Sequence, residues 1–238
     1  VSESHHAAGG PVITDIDQVL TTTRAVRRRL DLDRPVPREV VEECLALAQQ
    51  APMGSNLEHW RFVAVDDDVL KERVAALYRD IWHETVVAPL ASGEEATTTR
   101  LAPSTRPDDA TRHRQERVLG SVEHLVHRLE RVPVLVVACS VKPLPSEIVG
   151  GTASGYYGSI FPAVWSFQLA LRSRGLGSVL ATALAHRAEE VRDVLGLPAA
   201  WRPITLVPVA YTRGLTFAPA ARGPLHDVVS WNGSGEQR

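Results

Sequence analysis

The stretch "PVLVVACSV" places six apolar residues in succession, from Val134 to Cys139. Successive side chains of a strand point to opposite faces, so a strand of this composition has to be covered on both. That argues against a sheet with one wet face at this strand. Elsewhere "YYGSIFPAVWSFQLALRSRGLG" reads as one helix stopped by Gly175, its largely apolar surface calling for deep burial.

The other elements arrange themselves around this pair. In "TDIDQVL", Ile16, Val19 and Leu20 have helical spacing, with Thr14 and Asp17 as candidate caps. This first helix reads as running on into an arginine cluster. "VPREVVEECLALAQQAP" is a second helix, with Pro37 in its first turn and Val40, Val41, Cys44, Leu45 and Ala48 on one face. "RFVAVDD", "SVLAT" and "PITLVPVAYT" read as strands; "VLKERVAALYRDIW", "LGSVEHLVHRLERV" and "RAEEVRDVLGLP" read as helices. Short strands spaced by more numerous helices predict an α/β or α+β fold. No internal repeat or clean linker divides it, so residues 1–238 are expected to form one domain. Within it, 1–12 read as a disordered tail and 213–238 as an extended C-terminal arm. Residues 88–117 are polar and aperiodic, the signature of a lid or insertion.

Composition narrows the function. A chain of 238 residues that is 44% hydrophobic can bury a substantial core. A formal net charge of −2 argues against a protein built around nucleic acid. No apolar run approaches the ~20 residues needed to span a bilayer, and "VSESHHAAGG" lacks a signal-peptide core. Cys44 and Cys139 each lie in an apolar run and read as buried free thiols of a reducing compartment. The expected location is cytoplasmic, with no membrane and no nucleic acid among the partners.

Against that near-neutral background, "TTTRAVRRRLDLDRP" concentrates Arg24, Arg27, Arg28 and Arg29. On a helix Arg24 and Arg28 share a face, while Arg27 and Arg29 point elsewhere and read as surface charges. A solvated basic helix end is one reading. A phosphate clamp is the sharper one, because guanidinium groups bind phosphate through two parallel hydrogen bonds. A clamp requires a second basic contributor elsewhere. Other candidates carry less. "HLVH" at His124–His127 lacks a glutamate at metalloprotease spacing, so no metal is expected. "GGTASGYYGS" lacks the dinucleotide fingerprint and reads as a flexible loop entering the long helix. Trp60 reads as a core anchor at a strand start.

"RAVRRRLDLDRPVPREVVEECLALAQQAPMGSNLEHWRFVAV" resembles the N-terminal signature of the FMN-dependent nitroreductase family. "GSIFPAVWSFQLALRSRGLGSVLATAL" resembles that family's central buried helix and following strand. "VLGLPAAWRPITLVPVAY" with "RGPLHDVVSW" resembles its C-terminal end. The likeness runs from about Ile16 to Trp231 and fails around 88–117. It implies a nitroreductase-like fold with a central mixed sheet flanked by helices.

By position, the resemblance assigns Arg24 to the flavin phosphate, Arg28 to flavin N1 and the C2 carbonyl, and Arg222 to completion of the phosphate clamp. Ala25 and Val26 lie in the same signature. It implies further cofactor contacts from Met53, Gly54 and Asn56, and from Ala181, Thr182, Ala183 and Leu184, partly through main-chain N–H groups. Val26, Met53, Glu58, His59, Trp165 and Ser166 depart from the residues common in the family.

The implied activity is reduction of nitroaromatics, quinones or similar small planar acceptors by NADPH or NADH. Hydride passes in ping-pong fashion through flavin N5, and no protein residue serves as a catalytic base. Arg100, Arg106, Arg112, Arg114 and Arg117 incline the co-substrate toward NADPH. The implied assembly is an intertwined homodimer with flavin at the interface. Reductive dehalogenation, oxygen-dependent flavin fragmentation and flavin binding without turnover stand as alternatives.

Overall fold

The computed structural model describes residues 13–92, 109–147 and 149–233. Its helices are α1 (Ile16–Thr22), α2 (Arg38–Ala48), α3 (Asp68–Trp82), α4 (Ala88–Ala91), α5 (Asp109–Val126), α6 (Gly150–Tyr157), α7 (Phe161–Ser173) and α8 (Ala188–Val194). Its strands are β1 (Trp60–Val65), β2 (Val134–Ser140), β3 (Leu176–Ser178) and β4 (Arg202–Tyr211). They form one sheet in the order β1-β2-β4-β3. All three strand pairings are antiparallel. The parallel element is the single bridge from Ala25 to Ser178 at the β3 edge.

β2 is buried at every position. Its alternate residues feed two cores. Val134, Val136 and Ala138 face α2 and α7, in company with Val41, Cys44, Trp60 and Phe167. Leu135, Val137 and Cys139 face α3 and α5, in company with Val74, Tyr78, Ile81 and Val126. An unbroken apolar strand thus sits in an antiparallel sheet because helices cover both faces, the condition more often met by parallel sheets.

Several local expectations are corrected. The long apolar segment is two helices, with the chain turning between Tyr157 and Phe161. The glycine-rich stretch is α6 rather than a loop, its start tied down by the Thr152 hydroxyl, which donates to the Val149 and Glu147 carbonyls. Gly175 does end α7, with φ +75°. The strand read as "SVLAT" begins two residues earlier and breaks after Ser178; Ala181 then pairs with Leu206. Asp15, not Thr14 or Asp17, caps α1 by accepting from the Gln18 N–H at 2.8 Å.

Of 88–117, residues 88–91 continue the α3 direction through a π-turn at His83–Val87, and 109–117 open α5. The lid expectation otherwise falls on 93–108, outside the described residues. Residues 213–233 carry only the short turn Leu225–Asp227. No described helix is long and apolar enough to cross a membrane.

Candidate functional site

The arginine cluster is not helical. α1 ends at Thr22, and the hydroxyls of Thr21, Thr22 and Thr23 donate to the carbonyls of residues four positions earlier, Asp17, Gln18 and Val19. Such back-bonding competes with continuation of the helix. The chain then joins the edge of β3, the Val26 N–H donating to Ser178 O at 2.9 Å. Close approach is possible because position 177 is glycine: a Cβ there would meet the Thr212 methyl at 2.6 Å and Val26 at 3.0 Å.

Leaving the helix re-aims every arginine. Arg27, read from the sequence as a surface charge, lines a cavity of about 500 Å³ between α3, α5 and the sheet. Burial holds its guanidinium below the ordinary arginine value, with Tyr78 acting the other way. Arg28 turns outward and donates to Gly120 O at 2.9 Å. Arg29, also read as a surface charge, donates to three carbonyls at the start of the C-terminal arm. Arg24 gives Nη1 to Thr23 O and Nη2 to Thr21 O and Ala218 O. Three of its five N–H donors are thereby used, and Nε and one Nη1 hydrogen remain.

The cavity's walls are apolar: Val118, Leu119, Val122, Leu125 and Val179 among others. Arg27 sits at its polar margin with Ala181, Thr182, Ala183 and His186. Ala181 has already given its N–H to Leu206 O at 2.9 Å. Thr182 and Ala183 open the 3-10 turn Thr182–Arg187, where the first N–H groups lack intrahelical partners. Leu184 is fully buried beneath them. Tyr78, close enough to Arg27 to act on its charge, and Trp82 line the cavity from α3. Burial pushes the Tyr78 hydroxyl up to about 12, and the buried Trp82 indole N–H has no hydrogen-bond partner among the described residues.

The sequence pattern missed Arg27, Tyr78, Trp82 and His186. Tyr78 and Trp82 stand four apart on one face of α3, a signal indistinguishable from core spacing.

Residues 53–56 lie elsewhere. Met53 packs on the α2–α7 core, across the sheet from the cavity. Ser55 and Asn56 take left-handed φ values of 57° and 50°, sparsely populated by non-glycine residues and costly to hold. The Gly54 N–H donates to Ser159 Oγ at 3.2 Å. One chain therefore does not bring Met53, Gly54 and Asn56 together with Arg24, Arg27 and Ala181–Ala183. Arg222 lies exposed on the arm, four residues beyond Ala218. Among the described residues, no three His, Cys, Asp or Glu side chains gather to hold a metal ion.

Residues 20–211 match the nitroreductase family. The chain belongs to that family. A curated relative, iodotyrosine deiodinase of Thermotoga neapolitana, is 28% identical over 88% of this chain and 94% of its own length. NADH dehydrogenase of Thermus thermophilus is 29% identical over 92% of this chain and 97% of its own. The solved structure of oxidized iodotyrosine deiodinase bound to FMN and 3-iodo-L-tyrosine is 21% identical, with a TM-score of 0.62. It covers 92% of this chain and 99% of that one, and shows the nitroreductase fold. This nitroreductase-family chain thus carries its cavity on the α3–α5 face of the fold.

Proposed function

We propose that the protein is an FMN-dependent oxidoreductase that takes hydride from NADPH or NADH and passes it to a small planar acceptor, a quinone or nitroaromatic. The observation that supports this best is Arg27. Its desolvated guanidinium stands at the margin of an apolar cavity, beside Ala181–Ala183, in a chain of the nitroreductase family. Apolar walls with an arginine among them suit an isoalloxazine ring system, whose pyrimidine end carries the negative charge of the reduced state.

When bound, FMN supplies the two-electron chemistry. The chain's tasks are to bind, orient and exclude water. Arg27 takes the place inferred for Arg28: it would stabilise negative charge at the pyrimidine edge, a fixed cation in a dry site. The first N–H groups of Thr182–Arg187 would donate to the ring edge. Arg24, both of whose Nη2 hydrogens are given to carbonyls, would hold the phosphate through a single charge-assisted contact from Nε, together with Arg222. Leu119, Val122 and Leu125 of α5 would keep water off the apolar walls.

The assembly is a homodimer in this reading. Met53–Asn56 lie across the sheet from Arg27, so a second copy is needed to bring both sets to one flavin. The arm fits the role of an embrace, because Leu225, Val228 and Trp231 are 73%, 80% and 87% exposed in the single chain. NADPH is favoured over NADH by the five arginines of 88–117. Of these, Arg112, Arg114 and Arg117 fall on α5, and Arg100 and Arg106 lie outside the described residues. A second reading, reductive dehalogenation of a halotyrosine, is favoured by the 28% identity to a deiodinase.

The test is direct. The purified protein should be yellow and should bleach anaerobically with NADPH; a colourless protein that takes up no FMN overturns the reading. Arg27→Met should weaken FMN binding by ~1.5–3 kcal/mol, roughly ten- to over a hundredfold, as loss of a charge-assisted contact predicts. Arg28→Ala should leave it nearly unchanged. Reoxidation of the reduced protein by 3-iodotyrosine but not by quinones would transfer the assignment to the second reading.

A further inference from the structure

After Tyr211 ends β4, the chain leaves the body under the grip of three arginines. Arg29 donates from Nε to Arg213 O at 3.1 Å, from Nη2 to Gly214 O at 2.8 Å and from Nη1 to Thr216 O at 3.0 Å. Arg172 donates from Nη2 to Leu215 O at 3.1 Å. Arg24 donates from Nη2 to Ala218 O at 3.1 Å. Five of the six carbonyls from residue 213 to 218 are thus read by guanidinium groups. The sixth residue, Phe217, offers its ring to two of the same arginines, with Arg29 Cζ 4.1 Å and Arg172 Cζ 4.8 Å from the centroid.

This is an expensive way to hold a loop that water could solvate. Arg172 is only 4% exposed. No carboxylate lies within ion-pair distance of it or of Arg29 among the described residues, and burial and the neighbouring Arg29 both push the Arg172 guanidinium below its ordinary value. A buried cation without a counter-ion is strongly disfavoured by desolvation. Cation–π contacts and carbonyl acceptors offset part of it.

The cost falls at an informative place. Arg172 also donates to Thr22 Oγ1 from Nε at 3.2 Å and from Nη2 at 3.1 Å. One guanidinium on α7 therefore joins the end of α1, two residues before Arg24, to the arm, seven residues before Arg222. Arg24 itself binds the arm at Ala218, and four extended residues span at most about 14 Å to Arg222. Both cations assigned to the phosphate start from this one clasp.

We propose that Arg29 and Arg172, clasped on Phe217, are positioning residues that set the spacing of Arg24 and Arg222 for a phosphate monoester. This rests on the flavin reading above, with the FMN phosphate as the ligand group. The clasp acts on the phosphate end of the ligand and leaves the ring end untouched.

Full-length protein freed of flavin would be titrated separately with FMN and with riboflavin, which lacks the phosphate. The variants are Arg29→Gln, Arg172→Met and Phe217→Leu, each alone and combined with Arg222→Ala. The wild type should prefer FMN. Each clasp variant should lower that preference by about tenfold, the scale of one charge-assisted contact, with riboflavin affinity unchanged. In the Arg222→Ala background the clasp variants should have no further effect, because their action runs through that residue. If Arg172→Met does not fold, Arg29→Gln and Phe217→Leu decide the matter at the loop side of the clasp. An unchanged FMN-to-riboflavin ratio in folded variants overturns the proposal alone. So does an equal loss for both ligands, or full additivity with Arg222→Ala. A wild type that binds neither flavin overturns the flavin reading and this one together.

Discussion

On one face of the sheet α2 and α7 lie against the strands, and Val164, Phe167 and Leu171 are wholly enclosed. On the other, α3 and α5 stand around a cavity of about 500 Å³ whose walls are the same kinds of aliphatic residue. Composition does not separate the two faces. What separates them is the open space itself, since the buried arginine of α7, Arg172, is bonded to Thr22 and Leu215, whereas Arg27 lines the cavity. Arg27 enters from the sheet edge, and Ala181–Ala183 break away from β3 beside it. The well-packed face holds the sheet in register, and the open face has room for a ligand.

The strongest way to break that contrast is to remove packing from each face in turn. Phe167→Ala should cost ~3–5 kcal/mol, the range for a fully buried aromatic. Leu119→Ala, on the cavity wall, should cost about 1 kcal/mol or less, because its neighbourhood already contains empty space. Urea denaturation midpoints measure both. Equal losses would mean that the two faces do not differ in how they support the fold.

The two cysteines sharpen the contrast, since Cys44 belongs to the α2–α7 core and Cys139 to the cavity-side core. Burial pushes both thiols up to about 12, so near neutral pH only molecules that open will react. In Cys44→Ala and Cys139→Ala, the remaining thiol can be followed with a disulfide reagent. Saturating flavin, at about a hundred times its dissociation constant, should slow Cys139 labelling by up to about a hundredfold and leave Cys44 much less affected. Identical slowing would show that both faces open as one unit.

The smallest effect lies on the surface beside the packed face. Arg38 forks onto Asp66 at 2.5 and 2.8 Å, and that contact holds the Asp66 carboxyl below its ordinary value of 3.8. A lowered folded-state pKa gives stability that is present above 3.8 and lost as pH falls through the lower folded value. Asp66→Asn should lower Tm slightly near neutral pH. The difference from wild type should close in strong acid and shrink in concentrated salt. A difference that grows toward acid pH would contradict the assigned direction.

The arginine cluster shows where sequence reading reaches its limit. Four arginines in six residues of a near-neutral chain raised a phosphate clamp as one reading, and the family resemblance supplied Arg222 as its second contributor. Which arginine enters the cavity was not legible. Helical spacing paired Arg24 with Arg28. Yet three threonines return their hydroxyls to α1 and end it, and the next residues pair with β3. The hydroxyls were visible in "TTTR"; the competing strand edge, some 150 residues away in sequence, was not. Likewise the Gly54 and Ala181 N–H groups, read as ligand donors, already have partners in Ser159 and Leu206. Only the folded chain discloses those partners.

What the sequence determined by itself was burial. The unbroken apolar run of Val134–Cys139 called for a strand covered on both faces, and β2 is buried at every position. Hydrophobic free energy scales with area and is indifferent to direction, so composition and period suffice to forecast it. Direction was decided by tertiary structure. Whether Arg27 points into a cavity, Arg28 toward Gly120 and Arg29 onto Phe217 depends on where the backbone turns and which carbonyl lies within hydrogen-bond distance. Hydrogen bonds and charges act over a few ångströms and at restricted angles, so their partners exist only once distant segments have been brought together.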